Sequence, residues 1–186
     1  IATDRYIARD GKEAVRVDYE PMTPLIDPFE SLAPEAPVLR DDKEGKTDNH
    51  IWHWEVGNKE KTDAIFDNAE VTISQQMHIP RIHVASIESF GCVASYYKVE
   101  NHLTMYMTTQ APHAIRTVIA LVAGHVGLTE EKIRVISPDI GGGFGGKVPV
   151  YPGYVIAIAV SFLTGAPIKW IEDRSENLQA DSFARD

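Results

Sequence analysis

The chain has 186 residues, 44% of them hydrophobic and 24% charged, which is ordinary for a globular protein and enough to bury a real core. A net charge of −9 with no lysine or arginine run leaves no positive stripe for nucleic acid, so the acidity is read as solubility. The single cysteine, Cys92, excludes an internal disulfide framework and a cysteine-only metal cluster, and it fits a reducing compartment such as the cytoplasm.

Residues 5–14 carry Ala8 and Ala14 among charged neighbours in a helical pattern weakened by Gly11, and Val15 to Tyr19 alternates as a half-buried strand should. A connector with five prolines runs from Pro21 to Pro37, with one helical turn expected at Phe29 to Leu32, and marks the clearest domain boundary. Asp41 to Asn49 reads as a solvated, mobile surface loop, and Thr62 to Ala69 as a short amphipathic helix. Strands are predicted at Val71 to Ile79, Cys92 to Tyr97 and Leu103 to Thr109, the last two forming a hairpin through Glu100 and Asn101. Pro112 opens a helix in which Ile115, Val118, Ile119 and Val122 recur at helical spacing until Gly124 and Gly127 end it. Strand Ile133 to Ile136 follows. Tyr154 to Leu163 is apolar all round, which suits a buried helix, and at about half the roughly 20 residues of a membrane span it is too short to cross a bilayer. Gly165 and Pro167 stop it before a last strand, Ile168 to Ile171. The pattern is α+β, without internal repeats. An opening without methionine and an end without a natural stop predict a fragment of a longer chain.

The most informative segment lies between strand Ile133 to Ile136 and that apolar helix. Gly141, Gly142, Gly143, Gly145 and Gly146 strip away side chains where backbone N–H groups can converge on an oxygen-rich ligand. Phe144 either points at the ligand or clamps the turn into the core, and Lys147 could add a point charge. Gly141, Gly143 and Gly146 match the dinucleotide fingerprint, and Gly141 with Gly146 and Lys147 matches most of a phosphate-binding loop. Both motifs need a helix to begin at once. Pro149, Pro152 and Gly153 postpone it, and Val148 stands where magnesium binding wants Ser or Thr, so neither motif is adopted.

His50 with His53 and His78 with His83 have poor spacing for a zinc site, and no Gly-x-Ser-x-Gly elbow supports a serine hydrolase. Gln110 closes a strand just before the Pro112 helix. Its carboxamide can serve a ligand as both donor and acceptor, or it can cap the helix.

Thr108 to His113, with Gln110 inside it, followed by Ser137 to Lys147, resembles the xanthine oxidase family of molybdenum hydroxylases. Val17 to Pro21, Ile51 to Trp54, Val148 to Tyr154 and Lys169 to Arg174 look most like the large subunits of its carbon monoxide dehydrogenase branch. The resemblance covers nearly all of the chain. It implies that residues 1–40 are the end of an α/β hammerhead domain with its linker, and that 41–186 open the molybdenum cofactor-binding domain. It implies further that Gln110 faces the oxo ligand of a molybdenum–molybdopterin cofactor, in its cytosine dinucleotide form. Gly142, Gly143 and Gly145 would lie against the cofactor, with Phe144 on the substrate side. The pterin dithiolene holds the metal in this family, so no metal ligand is assigned in this chain. Partner subunits carrying FAD and a 2Fe-2S cluster would remove the electrons. The copper-binding cysteine loop and the glutamate base of the family lie outside these residues, leaving copper open and this stretch inactive alone. Cys92 is then structural. Val148, where purine-oxidising relatives carry an acid, argues against xanthine and leaves carbon monoxide, with aldehydes or heteroaromatics as the alternative. A non-catalytic cofactor-binding or assembly module is the third reading.

Overall fold

Side chains alternate across a strand, and the stretches around Val93 and Thr104 place every second residue on one apolar face. In the computed structural model, which describes residues 1–183, these become β1 (Gly91–Tyr97) and β2 (His102–Met107). They pair antiparallel, with Cys92 opposite Met107, Ala94 opposite Met105 and Tyr96 opposite Leu103, all buried. The hairpin turns at Asn101, whose φ of +48° is one that asparagine tolerates. β3 (Ile133–Ile136) joins β2 in parallel and β4 (Ile168–Ile171) joins β1 antiparallel, giving the order β3-β2-β1-β4. A parallel neighbour requires a crossover, and α3 (Pro112–Ala123) supplies it, burying Ile115 and Ile119. α4 (Pro152–Thr164) packs on β1 and β4 through Tyr154 and Ala157. Both helices feed one hydrophobic core, so a single sheet face is covered by helices.

The chain divides into two compact units, Ile1–Thr72 and Ile73–Asp186, of which the second holds this sheet. The first contains α1 (Arg5–Glu13), a 3₁₀ turn at Glu30–Leu32 and α2 (Lys59–Asp67). Asp4 caps α1 by accepting from the N–H groups of Tyr6 and Ile7, at 2.8 and 3.0 Å, and the helix runs through Gly11. Asn49 closes the charged loop, accepting from Leu39 N and donating to the carbonyls of Ser31 and Pro37. None of residues 1–72 is buried.

Several expectations need correction. No strand forms at Val15 to Tyr19 or at Val71 to Ile79: both runs are exposed and enter no ladder among the described residues. Alternation describes a strand only once a partner supplies hydrogen bonds. Strand β2 ends at Met107, short of Thr109, because Thr108 N turns to the Gly91 carbonyl and Thr109 Oγ1 to the Lys147 carbonyl. Helix α2 starts earlier than Thr62, since Asn58 accepts from Lys61 N and so caps the turn. Helix α4 is not buried all round, for Ile156 and Leu163 lie on an exposed side. A further helix, α5 (Arg174–Ala180), was unforeseen, although Asp173 and Glu176 form a capping box that marks it. Among the described residues no helix is long and apolar enough to cross a membrane.

Candidate functional site: a glutamine held on a glycine turn

Beyond β3 the chain turns through Gly141 to Lys147, and three residues with positive φ bend it: +95° at Gly142, +50° at Phe144 and +92° at Gly145. Phe144 is the costly member, a bulky residue in a region that side chains avoid. The residue is 74% exposed, so it is held outward and does not clamp the core. The turn closes on itself where Gly146 N donates to the Gly143 carbonyl at 2.8 Å. Tyr151, at the start of α4, holds the Gly146 carbonyl through its hydroxyl at 2.7 Å.

The missing side chains serve the protein's own groups first. A Cβ on Gly143 would lie 2.3 Å from Gln110 Cδ, and one on Gly141 would lie 2.5 Å from Glu88 Cβ. Into the first space comes the Gln110 carboxamide, whose Oε1 accepts from Gly145 N at 3.0 Å and Lys147 N at 3.2 Å. Two backbone donors can face only the oxygen of an amide, which assigns its orientation. Gln110 Nε2 therefore keeps both hydrogens available, and no described residue accepts them. The backbone of Gln110 is tied to the same point, its N–H donating to the Lys147 carbonyl at 3.0 Å.

Gln110 does not cap α3. The cap position is Ala111, no side chain caps the helix, and Thr109 Oγ1 takes the Ala111 N–H at 3.1 Å. Nor is Lys147 offered to a ligand. Its side chain is fully buried, with Nζ 2.6 Å from Glu88 Oε2 and 5.8 Å from the Phe90 ring centroid. The same Glu88 oxygen accepts from Gly141 N at 2.7 Å. Burial works against ionisation of Glu88, but the Lys147 ammonium and the Gly141 amide outweigh it and hold the carboxyl below the usual range. Glu88 escaped sequence reasoning because a lone acid in Ile87 to Phe90 belongs to no motif.

What remains for a ligand is specific. The N–H groups of Gly142, Gly143 and Phe144 take no part in the hydrogen bonds among the described residues, and they lie on the same turn that orients Gln110. Five donors, three from backbone and two on Nε2, suit a ligand rich in acceptors, and Glu88, the acid that touches the turn, is paired with Lys147. Beside the turn, Val84, Phe144, Ser182 and Phe183 line a small cavity of about 120 Å³.

The other candidates disperse. His50 and His53 are exposed, the latter 3.0 Å from Glu55, and His83 Nε2 donates to the Asn177 carbonyl at 2.7 Å. His83 Nδ1 accepts from Ala85 N, which fixes that tautomer. Among the described residues no group of three His, Cys, Asp or Glu side chains could hold a metal ion. Cys92 is buried in the core, and desolvation pushes its thiol up to about 12, so it is unreactive.

Comparison with known proteins gives the family. Residues 42–186 match the molybdopterin cofactor-binding domain family. The carbon monoxide dehydrogenase large chain of Hydrogenophaga pseudoflava is 51% identical, aligned over 100% of this chain and 24% of its own length. The nicotine 6-hydroxylase large subunit of Paenarthrobacter nicotinovorans is 34% identical, over 100% of this chain and 22% of its own. The solved structure of reconstituted carbon monoxide dehydrogenase from Oligotropha carboxidovorans superimposes with a TM-score of 0.88 at 50% identity, covering 100% of this chain and 24% of that one. The chain thus spans about a quarter of the length of these relatives. With a glycine turn that orients a strand-end glutamine and a family match over most of its residues, the chain belongs to the molybdopterin cofactor-binding domain family, within the xanthine oxidase-type molybdenum hydroxylases.

Proposed function

We propose that the chain is part of the large subunit of a cytoplasmic molybdenum hydroxylase of the carbon monoxide dehydrogenase type, converting carbon monoxide and water to carbon dioxide, two protons and two electrons. Residues 1–40 would be the end of the hammerhead domain and its linker, and 41–186 the start of the cofactor-binding domain. The observation that carries this reading is the Gln110 carboxamide, locked through Oε1 by two backbone amides so that Nε2 is a preset donor. The residues fit a molybdopterin group: the unfilled amides of Gly142, Gly143 and Phe144, the open space at Gly145 and the Gln110 Nε2 donor suit a large, acceptor-rich cofactor. When bound, the cofactor, in its cytosine dinucleotide form, supplies the two-electron redox chemistry that no side chain here can perform.

The chain's own part is to bind and orient. Gly142 and Gly143 present N–H groups to the cofactor, and Gly145 acts through Gln110 by holding its oxygen. Phe144 borders the substrate, fixed outward by its strained backbone. Gln110 Nε2 would donate to an acceptor on the cofactor, a donor already in place that needs no reorganisation as charge develops. Partner subunits with a 2Fe-2S cluster and FAD receive the electrons.

Elemental analysis of the full-length protein in its complex tests the proposal. Molybdenum with copper supports carbon monoxide oxidation, and a preparation without molybdenum overturns it. Molybdenum without copper favours a second reading, an aldehyde or heteroaromatic hydroxylase, which the 34% identity to a nicotine 6-hydroxylase subunit supports. Replacing Gln110→Ala in the full-length enzyme should lower turnover by about 10- to 1000-fold with molybdenum retained; undiminished turnover would remove Gln110 from the site.

A further inference from the structure

We infer that Glu88 and Lys147 are positioning residues for Gln110, forming a staple that ties both ends of the glycine turn and so aims the carboxamide. The inference deepens the proposed function and rests on it for the catalytic role of Gln110. Its geometric part stands apart from any cofactor.

A buried ammonium is costly unless paired, and an apolar side chain would fill the same space at less expense. Lys147 Nζ is nonetheless fully buried, and its ion pair is with Glu88. Glu88 is built to reach the far end of the turn as well: its Oε2 takes the Gly141 N–H, while its own N–H donates to the Gly141 carbonyl at 3.3 Å. Gly141 and Lys147, the two ends of the turn, thus meet at one carboxylate oxygen, at 2.7 and 2.6 Å. A side chain at Gly141 would push that carboxylate away.

Apart from the Gly145 amide, the contacts that fix Gln110 are referred to Lys147. Its N–H holds the Gln110 oxygen, and its carbonyl accepts from Gln110 N and from Thr109 Oγ1 at 3.0 Å each. Where the Lys147 side chain is anchored therefore decides where the Lys147 backbone sits, and the backbone decides where Nε2 points. A charge pair is more directional in this task than an apolar contact, since Glu88 must satisfy an ammonium and an amide with a single oxygen. Lys147 thus acts behind the turn, and its charge is spent within the protein.

The test is a double-mutant cycle in the full-length large subunit within its complex, with Glu88→Ala, Gln110→Ala and the double variant. Glu88→Ala should lower kcat by about 10- to 100-fold with KM nearly unchanged and molybdenum content retained. The double variant should be no slower than Gln110→Ala alone, because Glu88 acts through Gln110. Glu88→Gln, which keeps an acceptor for Gly141 but not the charge, should fall between wild type and Glu88→Ala, and it replaces the alanine variant if that one does not fold. Amide hydrogen exchange at Gly145 and Lys147 should accelerate by about tenfold or more in the Glu88 variants, with or without cofactor. Additive losses in kcat, or unchanged exchange at these two amides, would overturn the inference. A wild-type protein devoid of molybdenum would overturn the proposed function instead, while the exchange result would still decide the staple.

Discussion

At Gly143 the requirement for glycine comes from inside the protein. A methyl group there would occupy the space of Gln110 Cδ and Oε1, at 2.3 and 2.5 Å, so Gln110 would have to release both amides that hold it. Gly143→Ala in the full-length enzyme should therefore reproduce the kinetic loss of Gln110→Ala, about 10- to 1000-fold in turnover, with the sheet intact by circular dichroism. A variant that keeps its turnover would show that the turn relaxes without moving the glutamine. The glycine run was legible in the sequence as a place of close approach, but not what approaches. Gln110 lies 33 residues from Gly143 and Glu88 lies 53 residues from Gly141, and only folding brings them together.

Among the elements, α4 and α5 show how polar groups are closed off. Ser161 lies buried in α4 and accepts from Tyr96 N at 2.9 Å while its hydroxyl donates to the Ala166 carbonyl at 2.8 Å. It takes over the open side of β1 just beyond the last residue paired to β4, Ala94. Ser161→Ala should cost about 1–3 kcal/mol by leaving that buried N–H without a partner, measurable as a lower midpoint in urea unfolding. A midpoint within error of wild type would mean that water replaces the hydroxyl. The strand Ile133 to Ile136 and the helix at Pro112 were legible because short apolar runs and capping signals are local. The absent strands at Val15 and Val71 had the same alternation but found no ladder.

Next to α5, Glu172 follows β4 and is buried beside Asp181, which accepts from Asn177 Nδ2. Burial first, and then the Asp181 carboxyl, raise Glu172 from 4.5 to about 7, while Asp181 is itself pushed up by burial. Between its ordinary range and about 7 the folded protein keeps a proton that the unfolded chain has lost, so stability falls as pH rises through that window. Glu172→Gln, which imitates the protonated form, should flatten the dependence of Tm on pH between about 5 and 7. Equal slopes in the two proteins would assign the pH dependence to other groups.

On the scale of the whole molecule, the chain aligns to about 24% of the length of its carbon monoxide dehydrogenase relatives. At the glycine turn the Lys147 ammonium and the Gly141 amide hold the Glu88 carboxyl below its usual range, which makes it a weak proton acceptor. The 186-residue stretch expressed alone should consequently show no carbon monoxide or aldehyde oxidation above background in a dye-reduction assay. Turnover by this stretch would mean that a proton acceptor has been overlooked within it.

The sequence by itself determined the hairpin, the helix at Pro112, the strand before the glycine turn, the turn itself, Gln110 and the family, because each is written in contiguous residues. Only the tertiary structure decided what those parts do to each other. It turned Lys147 from a ligand charge into an internal anchor, brought in Glu88, freed Gln110 from capping α3, and left Nε2 as an available donor. The physical reason is that hydrogen-bond capacity is local to a residue, whereas its satisfaction depends on partners that are distant in sequence.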